Sequence, residues 1–198
     1  TREASSPGYD ASVAYVVNQA EAAGYDVTIQ EFPYPFFEEQ TPAELEQIAP
    51  TPTVYTYFGV DGFATMSYSG SGDVTAIAEG VDLIIPAAPD ANTSTSGCEA
   101  GNIAIIQRGS CSFALKAQNA EAAGAVGVVI FNEGQAGRMD AFLGTLGGPG
   151  ATVPVVGAAY DVGVELAAGD VTVRMFVDAT SEIRTSANVI AESPGGRD

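Results

Sequence analysis

Gly101-Asn102-Ile103-Ala104-Ile105-Ile106-Gln107-Arg108-Gly109-Ser110-Cys111-Ser112-Phe113 is the stretch on which the reading of this chain turns. Its apolar run predicts a strand over 103–107, buried on both faces. Arg108-Gly109 breaks the run, and Ser112 opens a helix expected to reach Ala123. Phe113, Ala117 and Ala120 recur on one face of that helix, and Gly124 is a natural stop. A second buried strand is expected over 125–131. A glycine-rich loop follows, then a strand over 153–157, a helix over 161–168 ended by Gly169, and a strand over 171–177. Strand–helix–strand alternation of this kind predicts an α/β fold.

Upstream, Val13, Val16, Val17 and Ala20 recur at helical spacing, so a helix is expected over 9–23 with Gly24 closing it. Tyr25, Val27 and Ile29 alternate and predict a half-buried strand that Pro33 and Pro35 end. Residues 43–48 suggest a short helix. Residues 53–58, 63–68 and 73–78 are β-rich and divided by glycine-containing turns, and 81–85 looks like a buried strand. Asn92-Thr93-Ser94 lies in a polar loop and fits a glycosylation sequon, which is a weak three-residue match. A last short strand is expected over 187–192.

Composition excludes several functions. The chain has seven basic and 25 acidic residues, a net charge of −18. Binding to nucleic acid or to an anionic membrane needs a cationic face that such a chain lacks. No apolar run is long enough for a helix to span a membrane. There is no histidine, and Lys116 is the one lysine. With two cysteines and no imidazole, a standard catalytic or structural zinc site cannot be assembled. Cys98 and Cys111 flank the strand over 103–107. In an acidic, lysine-poor, turn-rich chain they are expected to form one disulfide in an oxidising compartment, the alternative being two buried free thiols.

The quoted stretch resembles the signature of the protease-associated (PA) domain: an apolar strand, Arg-Gly, a small residue, Cys, a small residue, Phe, and a helix carrying lysine, here Lys116. Ala120 to Ala125, Val128-Val129-Ile130-Phe131-Asn132 and Val153-Pro154-Val155-Val156 continue the likeness over about residues 50–180. At the ends, Pro7 to Ser12 with Glu21 to Val27, and Ser186 to Glu192, resemble the flanks of the peptidase domain in aminopeptidase Y-like zinc peptidases, where a PA domain is inserted.

That resemblance implies a division into 1–45 (peptidase flank), 46–182 (PA domain) and 183–198 (returning peptidase strand). It implies β-rich, barrel- or sandwich-like layers flanked by two or more helices. It also implies an N-terminal helix and an antiparallel two-stranded ribbon joining 26–32 to 187–192. The zinc and the catalytic residues would belong to a peptidase portion outside this sequence, and this portion would need no cofactor. The implied role is non-catalytic: shaping substrate access or holding peptides in a secreted enzyme. Its partners would be a peptide or protein substrate and its own peptidase domain, with self-association through the flanking strands as a further expectation. A cargo-binding PA module of a receptor-like protein is the alternative, and a small self-sufficient hydrolase is a third class.

Candidate binding residues follow from turns and loops. Arg108 and Gly109 could hold an anion such as a peptide carboxylate where the strand meets the next helix, with glycine allowing positive φ; local pairing and turn-shaping are the simpler reading. Phe131, Asn132 and Arg138 on one loop, with Gly147 and Gly148 on another, are expected to form the rim of a recognition surface. Ser110 or Ser112 beside Lys116 makes a weak Ser–Lys nucleophile candidate. Carboxylate pairs such as Glu38 with Glu39 and Asp161 with Glu165 read as solvated surface rather than as a calcium site or glycosidase acids.

Overall fold

The computed structural model describes residues 1–83, 95–96 and 98–195; the candidate sequon at Asn92 lies outside them. Among the described residues, three helices and ten strands follow in chain order: α1 (Pro7–Ala22), β1 (Asp26–Ala49), β2 (Thr53–Val54), β3 (Phe63–Thr65), β4 (Gly72–Gly80), β5 (Asp82–Leu83), β6 (Thr95–Ser96), β7 (Ile103–Gln107), α2 (Phe113–Ala122), β8 (Gly127–Phe131), β9 (Val155–Ala158), α3 (Tyr160–Leu166) and β10 (Val171–Glu192). Eight strands form one sheet in the order β2-β1-β10-β4-β7-β8-β9-β3, and β5 pairs with β6. The chain divides into two compact units, Thr1–Phe36 with Ile183–Asp198, and Phe37–Glu182. This is the expected mixed α/β architecture.

In the larger unit β4, β7, β8 and β9 run parallel, with Ile103 opposite Gly127 and Gln107 opposite Phe131, while β10 and β3 pair antiparallel at their outer sides. Successive strand residues serve opposite faces. Ile103, Ile105, Val129 and Phe131 pack with Val162 and Leu166 of α3. Ala104, Ile106, Val128 and Ile130 pack with Ala117 and Ala120 of α2. The two helices therefore cover opposite faces, which explains why these strands read as continuous apolar runs.

Two expectations for the long strands are corrected. Residues 43–48 are strand, not helix: Ala43, Leu45 and Gln47 are buried, whereas Glu44 and Glu46 reach Arg174 at 2.6 and 3.6 Å. Alternation, not helical spacing, is the real pattern there. Nor does β1 stop at Pro33 and Pro35. Among the described residues its second neighbour, β2, meets it only at Glu46 and Gln47. The missing proline N–H groups are therefore tolerated on an open edge. Likewise 171–177 and 187–192 belong to one strand, β10.

Within the smaller unit, the flanking strands pair side by side. Gln30 meets Asn188 at 3.4 Å, and Arg184 lies 3.3 Å from the ring centroid of Phe36. As numbers rise on β1 they fall on β10, so the pairing is antiparallel. The Tyr9 hydroxyl donates to Ala187 C=O (2.7 Å), tying α1 to β10, and Ser6 caps α1 by accepting from Tyr9 N–H (3.2 Å).

Candidate functional site

The C-terminal ends of β7, β8 and β9 lie side by side, the place where open parallel sheets present their loops to ligands. From β7 the chain enters the Arg108–Ser112 turn. From β8 it enters the loop 132–154, and β9 leads directly into α3.

Arg108 donates its backbone N–H to Phe131 C=O (2.7 Å). Its guanidinium lies 4.9 Å from the ring centroid of Phe142 and 5.5 Å from that of Phe113, and those rings are 5.3 Å apart. Two aromatic faces fix this cation in the manner that suits arginine. No carboxylate among the described residues forms an ion pair with it. Arg138, by contrast, is bound by Glu133 at 2.9 Å, and Arg174 by Asp73 and Glu44. Gly109 does not have a positive φ, and a Cβ there would meet nothing within 4 Å. Its expected conformational role is therefore corrected: the turn does not require glycine at that position.

Phe142 also lines a cleft of about 190 Å³ with Phe58, Gly59, Val60, Ala64, Asp140, Ala141 and Leu143. Phe58, Val60 and Leu143 are 61%, 63% and 71% exposed. Backbone bonds hold this edge together: Ala141 N–H donates to Val60 C=O (2.8 Å) and Tyr160 N–H to Met139 C=O (2.7 Å). Phe58 keeps a positive φ of 55°, uncommon for a bulky residue and a form of strain that collects at functional sites. Its N–H donates to Phe63 C=O (2.9 Å), and its ring packs edge-on against Tyr57 at 4.5 Å. Tyr57 in turn donates to Glu39, which also accepts from Thr65 at 2.5 Å. Burial and the Glu39 contact push the Tyr57 phenol up to about 12. The loop is thus braced from beneath while Phe58 stands in solvent.

Several expected site residues have other work. Phe131 is buried, with its ring 6.2 Å from that of Tyr160 and its side chain directly under Gly163. It is core rather than rim, because β8 is flanked on both sides and capped by α3. Asn132 is buried too: Nδ2 donates to Asp140 C=O (2.9 Å) and Oδ1 accepts from Glu133 N–H (3.0 Å), so it shapes the loop. Arg138 stands in an exposed turn paired with Glu133. Gly147 (φ +81°) and Gly148 are open, and neither belongs to the cleft lining. Sequence reasoning missed Phe58, Val60, Phe142 and Leu143; the signal for them was four bulky apolar residues in glycine-rich loops.

The Ser–Lys candidate dissolves. Ser112 caps α2 by accepting from Leu115 N–H (3.3 Å), while Lys116 is only 4% exposed and donates to Gln107 C=O (2.9 Å). Burial pulls its amine below 10.5, with nearby Cys111 opposing the shift. The expected disulfide is also corrected: Cys98 and Cys111 are free thiols. They stand beyond opposite ends of β7, whose five residues span about 15 Å, whereas a disulfide needs Cα atoms within about 7 Å. Burial, and secondarily Glu79, raises the Cys98 thiol. Zinc does not fit these residues: the sequence has no histidine, and no group of three His, Cys, Asp or Glu among the described residues could hold a metal.

Comparison with known proteins gives the family to which this mixed α/β fold belongs. Residues 72–166 match the family described as "PA domain", and this chain carries a PA domain of the kind found in aminopeptidases. An aminopeptidase of Pseudomonas aeruginosa is 39% identical over 206 residues, covering 98% of this chain and 38% of that protein. A probable leucine aminopeptidase 2 of Aspergillus fumigatus is 36% identical over 148 residues, covering 67% of this chain and 26% of the relative. Among solved structures, an aminopeptidase from Aneurinibacillus sp. strain AM-1 superposes with a TM-score of 0.66 at 30% identity, over 95% of this chain and 43% of that one. A zinc aminopeptidase from Bacillus subtilis (TM-score 0.51, 22% identity, 95% of this chain and 41% of that one) shares the fold. The chain thus spans about two fifths of the length of the Pseudomonas relative.

Proposed function

We propose that this chain is the non-catalytic accessory portion of a secreted zinc-dependent aminopeptidase, and that the larger unit controls which peptides reach the active site. The single observation that carries this reading is the braced apolar edge. Phe58, Val60 and Leu143 are held out in solvent by a hydrogen-bonded framework, beside a stacked arginine, in a chain without histidine. Exposed apolar side chains on an ordered loop are expensive to maintain unless something covers them. The edge has no nucleophile–base pair and no metal-binding group, so it can orient a peptide but supplies no proton transfer or Lewis acid.

The smaller unit supports the same reading. None of the 16 residues of α1 is buried, and Tyr15, Val16, Ile29 and Ile190 are exposed. A helix of that length does not normally stand without an apolar partner. The peptidase core of a longer protein would supply one, together with the zinc ligands. The test uses a protein that joins this chain to such a core. Phe58→Ser and Leu143→Ser should lower kcat/KM for peptides of several residues by about tenfold and leave dipeptides nearly unchanged. Equal losses on both substrates would contradict control of access.

A further inference from the structure

The unpaired guanidinium of Arg108 has not been given a ligand. Arg108 sits in an acidic chain of net charge −18, yet among the described residues no carboxylate pairs with it. Instead Phe113 and Phe142 hold its plane, leaving its forked N–H donors for an outside acceptor. The same Phe142 forms part of the cleft bounded by Phe58, Val60 and Leu143. One ring therefore joins a fixed cation to a side-chain-sized apolar cleft. The turn that carries Arg108 also leads into the N-terminus of α2, whose first N–H groups favour an anion.

From this juxtaposition we propose that the surface binds the carboxyl-terminal end of a short peptide: Arg108 takes the free carboxylate and the cleft takes the apolar last side chain. The proposal rests on the recognition reading above and names its ligand class. A carboxylate matches the guanidinium fork in two parallel bonds. The competing local group is Asp140, which lines the cleft and whose carboxylate would attract an amine instead. The overall field favours cationic ligands as well. A preference for a free acid over its amide can therefore arise only from a local cation, which makes the acid–amide comparison decisive.

The experiment titrates the 198-residue chain with Ala-Ala-Leu as free acid, the same peptide as C-terminal amide, and Ala-Ala-Ala as free acid, following amide chemical shifts. The free acid of the leucyl peptide should bind at least about fivefold more tightly than its amide and about tenfold more tightly than the alanyl peptide. Arg108→Gln should abolish the acid preference, Arg108→Lys should retain part of it, and Leu143→Ser should remove the leucine preference while keeping the acid preference. Equal affinity for acid and amide, or a preference for the amide, overturns this inference and leaves peptide recognition standing. No shift with any peptide up to about 10 mM overturns both.

Discussion

Gly163 shows how little latitude the core allows at single positions. A Cβ there would lie 1.9 Å from Cγ of Phe131, whose side chain is itself buried. We expect Gly163→Ala to destabilise by about 3 kcal/mol or more through overpacking, measured by urea unfolding; Gly148→Ala, in open space, should stay within about 0.5 kcal/mol of the parent. Lys116 gives a pH-dependent prediction. Its folded amine titrates below the ordinary 10.5 because it is buried. Between the folded and unfolded values the unfolded chain holds more protons, so this residue makes stability rise with pH across that window. In Lys116→Met that contribution vanishes, so unfolding curves in the pH range just below 10.5 should show a less positive slope than the parent. An unchanged slope would refute the burial. A lone lysine at i+4 from a serine cannot reveal from sequence that its stem dives under a strand end, whereas Ala117 and Ala120 were readable as inward.

Elements were legible where one force dominated. The strands β7 and β8 follow from apolar runs, because burial on both faces leaves a plain pattern, and the helices α1 and α2 follow from residue spacing and glycine stops. Residues 43–48 were not: Ala, Glu, Leu and Gln are good helix formers, and tertiary pairing overrode that preference. Glu44 and Glu46 alternate to one face and share Arg174 with Asp73, a pattern visible only once β4, β1 and β10 are assembled. The bracing of the 56–63 loop was equally invisible. A Cβ at Gly62 would lie 1.9 Å from Thr56 O, a backbone atom that cannot step aside. Gly62→Ala should therefore cost about 1–3 kcal/mol and, in the same titration, weaken peptide binding beyond the effect of Gly148→Ala.

At the scale of the molecule, the two units differ in what they bury. The unit Phe37–Glu182 has packed layers on both sheet faces, whereas α1 in the other unit buries no residue. Hydrogen exchange should show this directly: amides of β7 and β8 should be protected to near the global unfolding free energy, while α1 exchanges through local opening. Comparable protection in α1 would mean that its apolar face is already satisfied. Composition exposed the lack of imidazole at once; the proposed recognition surface needed the fold, since Phe58, Arg108 and the neighbours Phe142 and Leu143 come from three separate loops.

The most direct measurement follows backbone amide shifts of the 198-residue chain while an intact hydrophobic pentapeptide is added and its integrity is monitored. The account predicts saturable shifts confined to residues 56–63, 108–113 and 139–145, with the peptide recovered uncut. Hydrolysis by the purified chain, or saturable shifts that bypass those loops, would contradict it.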